Sequence, residues 1–200
     1  MRRVVQAVVL GLVLMALAPA IAVAGGNANF LIGERELTDQ WFPVDSQLMV
    51  GATVDWGMDD WPVHLAWGLN VSVDDRAEYR NDRYSAMFAE VSFGVLWLST
   101  RHESFRPYVG AGIASRFADL EIVPDDGTGT LEIDGQEIGC YVNAGAYWRL
   151  GPSFNLGLDL RYGMGAEFDL VSQPGGYVAG AGVRGNYLAF SMLLGFGWGK

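Results

Sequence analysis

Two hundred residues with a formal charge of −10 suit a single domain and argue against bulk electrostatic binding of nucleic acid or an anionic surface. One cysteine, Cys140, leaves no internal disulfide, and two histidines leave no Cys/His cluster for zinc, so neither metal nor cofactor is expected. Half of the residues are hydrophobic, yet beyond the first two dozen no run approaches the roughly 20 apolar residues of a spanning helix.

Met1-Arg2-Arg3 is a short basic start, and Val4 to Leu17 is apolar apart from Gln6 and Gly11. Pro19 ends that run, and Ala22-Val23-Ala24 has the small-x-small form read by signal peptidase. Residues 1–24 are therefore expected to be a cleaved secretory signal, the apolar stretch being too short for a retained span, with 25–200 as the mature domain. No cysteine stands at the cleavage site, so a lipid-anchored form is not expected.

The mature chain alternates. A faint first strand lies near Phe30 to Glu36. Leu48, Val50, Ala52, Val54 and Trp56 then alternate with Gln47, Gly51, Thr53 and Asp55. Val63, Leu65, Trp67, Leu69, Val71 and Val73 alternate with His64, Ala66, Gly68, Asn70, Ser72 and Asp74. Met87 to Trp97, Val109 to Phe117 and Ile138 to Leu150 repeat the pattern. The clearest case runs Phe154, Leu156, Leu158, Leu160, Tyr162, Met164, Ala166, Phe168, and Leu188 to Trp198 closes the series. A period of two gives a strand one greasy and one polar or small face, whereas a helix would scatter the same residues around its circumference. Eight such strands predict an all-β, eight-stranded antiparallel up-and-down transmembrane β-barrel.

The connections predict its orientation. Gly57–Pro62, Thr100–Arg106 and Gly151-Pro152 are short, whereas 37–45, 75–83, 121–136 and 170–185 are longer and more polar. Short periplasmic turns alternating with long outer loops are the pattern of outer-membrane barrels, and an even strand number leaves both termini in the periplasm. Trp56, Trp97, Trp148 and Trp198 all fall on the apolar face at the short-turn ends, with Tyr84, Phe117, Phe168 and Tyr187 near the other ends. Two aromatic girdles suit a lipid-facing barrel. A soluble barrel with an apolar interior would alternate too, but has no reason to align tryptophans.

On the polar face, His64, Glu90, Arg116, Asn143, Asp159 and Arg161 would project into the lumen. An eight-stranded barrel is just wide enough for side chains to fill it, and charges buried there must pair. A structural polar plug is expected ahead of a narrow polar path. The segment holding Glu121, Asp125, Asp126, Glu132, Asp134 and Glu137 has no basic residue and lacks the spacing of a calcium loop. It reads as a solvated acidic outer loop; the sharper reading is divalent-cation bridging to lipopolysaccharide or capture of a cationic partner. Gly180-Ala181-Gly182-Val183-Arg184-Gly185 fits a dinucleotide fingerprint in letters only, because a strand and not a helix follows it. Histidine-dependent hydrolysis of an outer-leaflet lipid would need His64, which has no serine at a recognisable spacing, or His102, which falls in a short turn expected on the periplasmic side. No enzyme is expected.

Arg106-Pro107-Tyr108-Val109-Gly110-Ala111-Gly112-Ile113 and the closing Leu194-Gly195-Phe196-Gly197-Trp198 resemble segments of the small outer-membrane β-barrel superfamily, which includes the outer-membrane protein A, X and W types. Trp41-Phe42-Pro43-Val44-Asp45-Ser46-Gln47 with Asp60-Trp61-Pro62 is similar to segments in a group of bacterial barrels. The superfamily's assembly signal usually ends on an aromatic residue, whereas here Gly199-Lys200 follow Trp198. The resemblance implies a monomer in the outer membrane of a Gram-negative bacterium, in contact with membrane lipid, lipopolysaccharide and the barrel-assembly machinery. It implies a structural or surface-interaction role first. Passage of small, hydrophobic molecules comes second and lipid A modification a distant third.

Overall fold

A computed structural model describes residues 25–57, 61–79, 81–99, 101–102, 104–125, 131–165, 167–168 and 183–198. The expected signal segment, Asp60, Asp126, Gly180 to Gly182 and Gly199-Lys200 lie outside them. Eight long strands close into a barrel: β1 (Gly25–Leu37), β2 (Ser46–Gly57), β3 (Val63–Tyr79), β4 (Asp82–Leu98), β5 (Phe105–Val123), β6 (Leu131–Leu150), β7 (Phe154–Met164) and β10 (Tyr187–Trp198). Between β7 and β10 lies a two-stranded ladder of β8 (Glu167–Phe168) and β9 (Val183–Arg184). Every pairing is antiparallel, and β10 seals the barrel against β1 from Gly26↔Trp198 to Leu37↔Tyr187.

One circuit of the register fixes the barrel's geometry. Trp56 pairs with Leu65, and the path continues through Val95, Ala111, Val142, Tyr162, Leu188 and Glu36 to Ser46, ten residues from its origin on β2. With eight strands that stagger inclines them by roughly 43° to the axis. A 12-residue strand such as β2 or β10 then rises about 29 Å, the thickness of a bilayer's hydrocarbon core. The outward face matches such a solvent. Phe30, Ile32, Leu48, Val50, Phe93, Ile113, Ile138, Leu160 and Phe196 are all exposed, Phe30 by 71%. No water-soluble surface carries so continuous an apolar belt.

The wall is uneven in height. β3, β4, β5 and β6 have 17, 17, 19 and 20 residues, against 13, 12, 11 and 12 for β1, β2, β7 and β10. Residues 75–83, expected as a loop, instead form a hairpin in which β3 runs to Tyr79 and β4 starts at Asp82, with Asn81 in the turn at φ 73°. The register shifts by a bulge between Asp74 and Ala77. The acidic segment is likewise not a loop. Glu121 lies on β5, and Glu132, Asp134 and Glu137 lie on β6; only Asp125 of the described acids sits in the turn. Alternation of apolar and polar residues marks a strand only where one face meets lipid, and above the bilayer the backbone continues without it.

The aromatic girdle expected at the loop end lies largely on the inner face of the barrel. Gly165 turns the chain at φ 79°, so β7 stops at Met164 and Phe168 leaves the outward series. Phe168 and Tyr187 are buried inside the barrel at 1% and 2% exposure, and Tyr84 shares the inward parity of Phe88 and Glu90 on β4. Phe117 alone of the four keeps outward parity, half-buried beside Ala89 and Gln136. At the short-turn end, Trp97 and Trp148 stand on the outer surface, while Trp56 and Trp198 flank Gly26 in register and are half-buried.

Candidate functional site: the lumen and its mouth

Positions of inward parity fill the lumen in layers. Nearest the short turns, β2 presents Asp55, which accepts from Asn27 Nδ2 at 2.9 and 3.2 Å and from the Tyr147 hydroxyl at 3.4 Å. His64 Nδ1 faces the same carboxylate at 2.7 Å, and Asn155 Nδ2 donates to Asn27 Oδ1 at 2.8 Å. Above them the rings of Tyr108 and Tyr147 stack at 4.8 Å, packed with Leu31, Leu96, Leu98 and Leu193. The Tyr108 hydroxyl donates to Asp159 at 2.5 Å, and Asn143 Nδ2 donates to the same oxygen at 2.9 Å. A void of about 30 Å³ remains beside Asp55, Ser92, Tyr141, Asp159 and Arg161, room for roughly two waters and little else.

The middle layer is ionic. Glu90, with no exposed surface, holds Arg116 Nε at 2.9 Å, Arg161 Nη1 at 3.4 Å and the Tyr187 hydroxyl at 2.7 Å. Arg116 spends its other nitrogens on the backbone oxygens of Cys140 at 2.7 Å and Met164 at 3.1 Å. Arg161 lies 3.7 Å over the Tyr141 ring and, with the Asn70 amide turned to donate to Leu69 O, donates to Asn70 at 2.9 Å. Arg35 completes the layer from β1, donating from Nη1 to Ser72 Oγ at 3.0 Å, its guanidinium 4.7 Å over Phe88 and 4.5 Å over Tyr187. Two guanidiniums thus share one carboxylate, with a third, Arg35, beside them in the same buried layer. Burying a charge is tolerable only when hydrogen bonds and rings replace its hydration, as they do here.

Aromatic residues close the loop end. Leu37, Trp41, Met49, Phe88, Ala118, Phe168, Tyr187 and Ala189 form one buried cluster. The wall supplies Phe88 and Tyr187. Trp41 arrives on a 3₁₀ turn, Asp39–Trp41, between β1 and β2, and Phe168 arrives on β8. Trp41 meets Phe88 and Phe168 edge-on at 6.3 and 5.9 Å. Its Nε1 donates to Arg184 O at 2.9 Å, which also accepts from Thr38 Oγ1 at 3.0 Å, and Arg184 N donates to Gln40 at 2.9 Å. The Phe168 ring rests against the backbone of Gly135 and Gly185, where a Cβ would collide with it.

Of the residues read from the sequence, Glu90, Arg116 and Arg161 meet in the middle layer, Asn143 and Asp159 pair below them, and His64 stands apart on Asp55. His102 lies exposed in the β4–β5 turn. The acidic residues sit far along the strands: the register opposes Asp119 to Asp134 and Glu121 to Glu132, and Asp125 N donates to Asp82 at 3.1 Å, tying the two tall hairpins together. Among the described residues no group of three or more His, Cys, Asp and Glu is arranged to hold a metal. Reading alternation missed Arg35, Asp55, Trp41 and the lumen tyrosines. The signal for the tyrosines was present: Tyr108, Tyr141 and Tyr147 are large rings on the polar parity of their strands. Arg35 hid in the faint first strand between Glu34 and Glu36, and Trp41 in a loop.

No protein-family profile matches the sequence, and no curated protein matches it either. Solved structures do. The chain is similar to a major outer membrane protein from Thermus thermophilus (TM-score 0.58, 12% identity, 88% of this chain and 99% of that one). It is similar to Neisserial surface protein A (0.53, 12%, 86% and 94%) and to Ail, the attachment invasion locus protein of Yersinia pestis, in complex with the heparin analogue sucrose octasulfate (0.54, 8%, 88% and 97%). At such identities the likeness is one of fold: the chain shares the closed eight-stranded antiparallel barrel of these outer-membrane proteins.

Proposed function

We propose that this chain is an integral outer-membrane protein of a Gram-negative bacterium whose role is surface interaction. Residues 1–24 are removed on export, both termini stay in the periplasm, and the barrel acts as a monomer among lipid and lipopolysaccharide. The assembly machinery reads the closing strand, Leu188 to Trp198. The barrel performs no catalysis. The observation that carries this reading is the pairing of a filled lumen with a wall that rises past the bilayer: β3 to β6 extend five residues or more beyond the 12 of β2 and β10. A structure built only to sit in a membrane needs no such height.

The tall sheet is acidic, with Glu121 opposite Glu132 and Asp119 opposite Asp134 in backbone register. Like charges directly opposite are destabilising unless something offsets them. The partner this surface suits is cationic, either a basic protein or divalent ions bridging to lipopolysaccharide phosphates. It is the opposite of the sulfated ligand in the Ail complex. Neutralising Glu121, Asp125, Asp126, Glu132, Asp134 and Glu137 to their amides should abolish calcium-dependent attachment of lipopolysaccharide and binding of a polylysine probe. Retention of both at wild-type strength would refute the reading. A filled lumen further predicts no conductance above background in planar bilayers; steady unitary currents would favour passive transport instead.

A further inference from the structure

The mouth cluster contains a polar group that its apolar neighbours do not satisfy. Arg35 is wholly buried, and among the described residues no carboxylate lies within ion-pair distance of it. Its Nη2 reaches only the Met49 thioether, at 3.5 Å, and its Nε has no partner. Met49 belongs to the same cluster as Trp41. A cation therefore points into an apolar mouth where sulfur is a poor substitute for an oxygen acceptor. Glu90 is already shared by Arg116 and Arg161.

The group occupying that mouth is the chain's own. Trp41 is held by a three-residue turn and by one side-chain hydrogen bond, from Nε1 to Arg184 O; the other partners of Arg184, Thr38 and Gln40, are surface groups. Water can replace those bonds, whereas the Phe88 and Tyr187 walls belong to barrel strands and stay. With the indole withdrawn, the vacated space is walled by Phe88 and Phe168, which the indole meets edge-on, and the Arg35 guanidinium lies over the Phe88 and Tyr187 rings of the same cluster, its Nη2 on Met49. Aromatic walls above a buried cation suit a flat organic anion, ring first among the aromatics and oxyanion on Arg35.

We propose that the loop-end mouth is a binding cup for an aromatic organic anion, occluded in this structure by Trp41 acting as an internal ligand. The cup is a dead end, because the ionic layer and the tyrosine layer close the lumen beneath it. It goes beyond the surface role and does not depend on it.

The test uses the full barrel refolded in lipid nanodiscs, with empty nanodiscs subtracted, and calorimetric titration of 2-naphthoate and its neutral counterpart 2-naphthalenemethanol. Trp41→Ala should bind 2-naphthoate at least about tenfold more tightly than wild type, because deleting the competing indole removes the population cost of the open state. It should also prefer the anion to the alcohol. Adding Arg35→Met should erase that preference while the alcohol still binds. No gain in Trp41→Ala, or a preference that survives Arg35→Met, would overturn the proposal. Folding of each variant is read from its heat-sensitive gel mobility. Should Trp41→Ala fail to fold, the paired Thr38→Ala and Gln40→Ala exchange, which loosens the turn without emptying the cluster, must show the same gain in smaller measure or the proposal falls.

Discussion

Ala111 and Glu121 lie ten residues apart on β5 and share one outward parity, yet they obey different rules. Ala111 stands between Val95 and Val142 in the belt that faces hydrocarbon. Glu121 stands between Ser85 and Glu132 in the part of the wall that rises clear of it. The backbone ladder is the same at both places. What differs is the solvent on the outer side, and with it the chemistry that a strand tolerates. Within the belt a polar outward residue has no water to turn to; above it, two carboxylates can oppose each other and be hydrated.

Three substitutions probe that contrast. The largest effect is expected where neither solvent reaches: Glu90→Leu leaves Arg116 and Arg161 buried without their carboxylate, a loss of about 3–5 kcal/mol, visible as a fall in the urea midpoint of the barrel in lipid vesicles. Ala111→Arg should cost roughly 2–4 kcal/mol by the same measurement, the expense of a cation on the lipid face near mid-height. Glu121→Arg, on the same strand and side, should change stability by less than about 1 kcal/mol and in the favourable direction, since it replaces a like-charge pair with an opposite one. If Ala111→Arg and Glu121→Arg proved equally costly, the boundary between belt and tall sheet would be misplaced.

The contrast also explains which parts of the fold were legible. The strands bearing Leu48 to Trp56, Leu156 to Met164 and Leu188 to Trp198 announce themselves because lipid on one side and packed polar groups on the other impose a period of two. The upper parts of β3 to β6 do not announce themselves, because Asp75 to Glu78 and Glu121 to Gln136 carry no such contrast, although the strands there pair on. Phe168 continued the outward series on paper, and one left-handed glycine, Gly165, carried it inside. Within the site, charges on inward parity could be named one by one. That Glu90 would gather Arg116, Arg161 and Tyr187 from three other strands follows from the stagger of the barrel, which adjacent sequence does not reveal.

By itself, the sequence determined an eight-strand antiparallel wall, its lipid-facing side, its tryptophan-bearing rim and the polar character of its interior, since each is a local response to the solvent a side chain meets. Only the tertiary structure decided the uneven height of the wall, the grouping of the buried charges and the closure of the mouth by Trp41 and Phe168. Those depend on register and on loops folding back into the lumen, where residues more than a hundred positions apart, Trp41 and Arg184 among them, come within hydrogen-bonding distance.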